Sequence, residues 1–113
     1  MKINLEQKLQ YAGKPIGRAK DENEKDLHWT LKDILVEVLF MESESKRKKP
    51  AKDRYEIGKL AEKILESEKK EFEMTIEELN LCKELAGELS KEILLVATWD
   101  ALEQNRQEKR KDG

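Results

Sequence analysis

The sequence predicts a mainly α protein with a minor β element: a compact four-helix domain with a small N-terminal hairpin or two-stranded bridge. Three observations lead there. Apolar residues recur at steps of three and four in four separate segments, the mark of helices resting on a core. Two of those segments open on a Thr followed three residues later by an acidic residue, the spacing of a helix-capping box. The opening KINLEQKL instead alternates apolar and polar residues ahead of a glycine turn.

In chain order, Ile3, Leu5 and Leu9 alternate with polar neighbours, and a turn at Ala12-Gly13-Lys14 leads into a second extended piece carrying Ile16. Residues 1–17 therefore read as a hairpin or an extended arm, although LEQKL also suits a helical turn. From Gly17 to Asp26 the chain holds no apolar residue except Ala19, which predicts a mobile exposed loop. Thr30 and Asp33 then cap a first helix over 30–44, with Leu31, Ile34, Leu35, Val38 and Phe40 or Met41 turned to the core. That helix dissolves into the loop SESKRKKP, and Pro50 discourages helix at the residue before it.

A second helix spans 51–67, burying Tyr55, Ile57, Leu60, Ala61, Ile64 and Leu65. A third spans 75–88, opened by Thr75 and Glu78, with Ile76, Leu79, Cys82, Ala86 and Leu89 on its stripe and Leu81 and Leu85 widening it. Gly87 and Ser90 interrupt the pattern. Ser90 suits the N-cap of a fourth helix over 91–104, whose Ile93-Leu94-Leu95-Val96-Ala97 run is apolar nearly all round and therefore central. One kinked helix from Thr75 to Gln104 is the alternative. The segments before the two Thr caps, LHWT and FEMT, echo each other and suit a miniature sheet tying the helix entrances together, though any strand-to-helix junction tends to look alike. Residues 1–104 thus form a single helical domain, and 105–113, without an apolar residue, a disordered tail.

Charge bounds the function. The chain has 113 residues, 23 basic and 25 acidic, for a net charge of -2, so no global field points to nucleic acid. Residues 51–104 hold 8 basic and 14 acidic side chains, which makes an acidic body flanked by basic loops. No apolar run approaches the length of a membrane span, and MKINLEQKLQ is too polar for a secretion signal. The lone Cys82 fits a reducing, cytoplasmic setting.

No constellation with chemistry emerges. The five glycines form no phosphate loop, and His28 and Cys82 are each the only residue of their kind, so neither a zinc site nor a Cys-His pair can be assembled. Glu71, Glu73, Glu77 and Glu78 read as a solvated face rather than a cation site. Catalytic, cofactor and metal residues are therefore not assigned. The candidate nucleic-acid or partner contact is the run Lys46, Arg47, Lys48 and Lys49, with KRK at 109–111 behind it; neither is interleaved with aromatics. His28 and Trp29 beside Thr30 suit a small polar pocket, but Trp29 as a core lid and His28 as an exposed strand residue are preferred. Trp99 beside Asp100 has the look of an interface hot spot, with core packing the preferred reading.

Taken together, GKPI, WTLKDIL, RYEIGKLAEKI, EMTIEELNLCKELAG and ATWDALE resemble small proteins of tailed phages and prophages, over about residues 12–103. Similar proteins run through a GKPI-like turn, a TLxD helix, an R-Y-x-L helix, a DLTxEE helix and a closing apolar segment with W-x-x-L-E. This chain departs from them in its longer charged loop from Arg18 to Asp26 and at Ser90 to Glu92, where a Pro-containing helix start often occurs. The resemblance carries no functional residues. It implies a non-enzymatic phage-type accessory in the host cytoplasm that binds a host or phage protein, modulating or inhibiting a host factor. Alternatives are a virion or tail assembly chaperone and a nucleic-acid-binding accessory.

Overall fold

The computed structural model of the protein describes residues 1–20 and 26–112. Within them the chain is mainly helical, with three two-stranded antiparallel sheets. The strands are β1 (Lys2–Asn4), β2 (Gln10–Tyr11), β3 (Lys14–Pro15), β4 (Gly17–Lys20), β5 (Asp26–His28) and β6 (Glu71–Glu73). The helices are α1 (Leu31–Phe40), α2 (Glu44–Arg47), α3 (Ala51–Glu66), α4 (Ile76–Ala86) and α5 (Glu92–Asp112).

The N-terminal segment is the stitch of the fold. Its β1 pairs with β6 in the register Lys2 to Glu73, Ile3 to Phe72 and Asn4 to Glu71. Beyond β1, Leu5 N–H donates to Lys70 O at 2.8 Å, Leu31 N–H to Gln7 O at 2.8 Å and Lys32 N–H to Leu5 O at 3.0 Å. The segments before the two Thr caps do not pair with each other as a miniature sheet; β6 pairs with β1 and β5 with β4, and the N-terminal segment instead ties the two helix entrances together. Ile3, Leu5 and Leu9 drive the arrangement, since all three are buried.

The hairpin β2–β3 turns where glycine chemistry places it. Ala12 and Gly13 both adopt positive φ, 55° and 79°, the primed turn that matches strand twist. Leu9, Ile16 and Trp29 then exchange backbone hydrogen bonds of 2.8 to 3.0 Å, which moor the hairpin to β5. The loop expected from Gly17 to Asp26 is in part a strand pair, β4 with β5, broken by a register shift between Gly17 and Ala19. The rest of that expectation, residues 21–25, lies outside the described residues.

Both capping boxes are present: Thr30 Oγ1 accepts from Asp33 N–H at 3.2 Å, and Thr75 Oγ1 from Glu78 N–H at 3.1 Å, each acid returning to the Thr amide. Helix α1 holds the centre, packing against α3, α4 and α5. Its buried face is Leu31, Ile34, Leu35, Val38 and Leu39, and Phe40 turns to solvent. It stops at Phe40 and not at residue 44, because Met41 is extended and the Lys46 ammonium takes the carbonyls of Leu39 and Met41. Ser43 then caps α2 by accepting from Lys46 N–H at 3.2 Å, so the described chain has five helices where four were expected, the extra one inside the anticipated basic loop.

Helix α3 buries Ile57, Leu60, Ala61 and Ile64, while Tyr55 and Leu65, expected inside, face water. Helix α4 buries Leu79, Cys82, Leu85 and Ala86 and leaves Ile76 exposed. The break at Gly87 to Lys91 is real, so residues 75–104 are two helices. Ser90 is not the cap: Lys91 supplies the first carbonyl, accepting from Leu94 and Leu95 N–H at 3.2 Å. The tail expected to be disordered continues α5 to Asp112. Asn105 anchors that continuation, its amide group donating to Ala101 O at 2.8 Å and Gln7 Oε1 at 2.9 Å and accepting from Asn4 N–H at 3.0 Å.

Candidate interaction surface

The four cations of the basic run are held apart and put to internal use. Lys46 closes the end of α1 through Leu39 O at 2.6 Å, and Arg47 pairs with Glu42 at 3.2 Å. Lys48 pairs with Glu44 at 3.7 Å, and Lys49 reaches across to Glu84 at 3.4 Å. Each of the four therefore already has an anionic or carbonyl partner. Beside them the Glu88 carboxylate accepts from Glu44 N–H at 3.0 Å and from the Ser45 hydroxyl, fastening α2 to the end of α4. The Ser45 hydroxyl is the main cause holding the Glu88 carboxyl below the usual carboxylate range.

Burial pushes the Cys82 thiol up to about 12, with the Glu78 carboxylate adding to the effect, so the sulfur is a core atom and not a nucleophile. Glu71 pairs with Lys2 and Glu78 serves the Thr75 cap, and no three His, Cys, Asp or Glu side chains among the described residues gather as metal ligands. Trp29 packs half-buried on the core as a lid, and His28 is half-buried in β5.

A cleft of about 380 Å³ lies between α3 and α4. Its apolar lining includes Ile57, Leu60 and Leu81, of which the first two are almost wholly buried. A second cleft, about 300 Å³, lies between the hairpin and α5 and is lined mostly by amides and small residues.

The exposed apolar surface that stands out belongs to α5. Ile93, Val96 and Trp99 are exposed by 39%, 42% and 42%, so the helix is not surrounded on every side as its apolar run suggests. Only Leu94, Ala97, Ala101 and Leu102 among its apolar residues are buried, with Thr98 between them donating to Leu94 O at 2.7 Å. Trp99, expected in the core, lies across α4. Its indole N–H donates to Lys83 O at 3.0 Å, and the Lys83 ammonium sits 4.9 Å from the ring centroid. Lys83 is itself ion-paired with Glu103, which lies 3.7 Å from Arg106. A Trp held by a hydrogen bond, a cation over its ring and a salt-bridged neighbour presents its exposed edge in one orientation.

This face was legible in one respect: Glu92 and Asp100 stand four residues either side of Val96, a polar row through an apparently all-round apolar run. No family model, curated protein or solved structure matches the chain. No described helix is long and apolar enough to cross a membrane.

Proposed function

We propose that the protein is a non-enzymatic, phage-type accessory of the host cytoplasm that acts by binding another protein and so modulates a host factor. The phage-type element comes from the sequence resemblance. The observation that carries the binding role is the outer face of α5, where Ile93 and Val96 stay half-exposed beside a half-exposed Trp99 pinned in place. Pinned aromatics lose little conformational entropy on binding and are enriched at the centres of interfaces.

Parallel affinity capture from host lysate on wild-type and Val96→Asp protein tests the reading. Val96 is exposed, so the variant keeps the fold, checked by circular dichroism, while a carboxylate is set in the middle of the face. A partner retained by wild type and lost on Val96→Asp is the expected result. Identical captures on both would sink the reading.

A further inference from the structure

The neighbours of any residue on a helix surface are those three and four positions away, and for Val96 they form a pattern. Across the helix lie Ile93 and Trp99, both half-exposed. Along it lie Glu92 and Asp100, both exposed and neither with an ion-pair partner among the described residues. Of the cations nearby, Lys83 is taken by Glu103, and Lys8 lines the same cleft as Asp100 without pairing with it. The face is thus an apolar band with a free carboxylate at each end, the two separated by eight residues or about 12 Å of helix rise.

We infer that this face docks a helix of a partner protein in which an apolar patch is bracketed by Lys or Arg residues about eight positions apart, a proposal that rests on the protein-binding role above. The sign of the charges selects the occupant. A second copy packed face to face about a two-fold axis sets Glu92 and Asp100 against the same carboxylates of its mate, so like charges meet at both ends. Nucleic acid and anionic lipid present phosphates to carboxylates and are repelled on the same ground. A basic amphipathic helix seats its apolar side chains on Ile93, Val96 and Trp99 and brings one cation to each carboxylate.

The test is selection of a displayed library of helical peptides, randomised on one face, against the full chain, with Val96→Asp protein as counter-selection. The expected winners carry Lys or Arg on both sides of an apolar pair and lose binding on Val96→Asp. Their affinity falls about tenfold or more on the double variant Glu92→Lys, Asp100→Lys, which in turn selects acidic peptides. Winners that are neutral or acidic, winners indifferent to the double variant, or no enrichment at all would overturn the inference. So would a wild-type dimer in sedimentation velocity that Val96→Asp abolishes. If lysate capture depends on Val96 yet ignores the double variant, the charge inference fails and the binding role stands; if nothing is captured, the binding role fails.

Discussion

Lys46 is the member of the basic run whose removal the fold should feel. Its ammonium donates to Leu39 O at 2.6 Å and, more weakly, to Met41 O at 3.4 Å, at the end of a central helix whose last carbonyls have few other donors. A hydrogen bond from a charged group contributes about 1.5–3 kcal/mol, and half-exposure of the Lys46 side chain argues for the lower end, about 1.5 kcal/mol. At about 4 °C per kcal/mol for a chain of this length, Lys46→Met lowers the Tm by about 6 °C. Lys48→Met removes an exposed pair with Glu44 and shifts stability by no more than about 0.5 kcal/mol. Thermal unfolding followed by circular dichroism on both variants decides the matter. Equal losses, or a larger loss for Lys48→Met, would refute the assignment of Lys46 as the closing group of α1. The contrast also governs how nucleic-acid binding is assayed: neutralising all four cations weakens the fold as well as the charge, whereas Arg47 and Lys48 alone test the charge.

Ala12 holds a left-handed conformation that costs a non-glycine residue about 1 kcal/mol, so Ala12→Asn, better suited to that region, raises stability by about 0.5 kcal/mol in denaturant titration. Cys82, buried with its thiol pushed up to about 12, resists alkylation at pH 8 in the native protein and reacts at once in denaturant; rapid native labelling would contradict its burial. The Glu88 carboxyl is lowered in the folded protein, so its contribution is full above the unfolded value of about 4.3 and is lost as pH falls through the folded value. Glu88→Gln is therefore less stable than wild type at neutral pH, and the two acid-unfolding profiles converge at low pH. A constant gap between the profiles would exclude the carboxylate as the fastener of α2.

Local signals in the chain were readable and distant ones were not. Both Thr caps, the Ala12-Gly13 turn, the burial of Cys82 and the break after α4 follow from residues within four positions of each other, where side-chain chemistry acts directly on the backbone. Helical periodicity located each buried stripe but not its centre: of the pair Phe40 or Met41 it is Met41 that packs on the core, Leu39 is fully buried beside it, and Tyr55 and Leu65 sit at the edges of the α3 stripe and fall outside. The pairing of β1 with β6 joins residues some seventy positions apart, which no local pattern encodes. The basic run looked like a ligand site because composition shows charge and not its partners; Glu42 and Glu44 stand only four or five positions before the cations they pair with, while Glu84 reaches Lys49 only in the fold. The exposed face of α5 was masked by its own hydrophobicity, since an exposed Val96 and a buried Ala97 read alike until the helix is seated.

The N-terminal stitch sets the order in which the protein can be completed. Residues 4 to 9 bond to Trp29, Lys70 and Asn105, so a segment made before all of its partners is among the last to find them. Helices α1, α3 and α4 form from local contacts while synthesis proceeds, but Ile3, Leu5 and Leu9 remain unburied until the chain beyond residue 105 has emerged. The long-range pairing of this segment, rather than the appearance of any one helix, is therefore the event that closes the core, and folding is slower than its helical content implies.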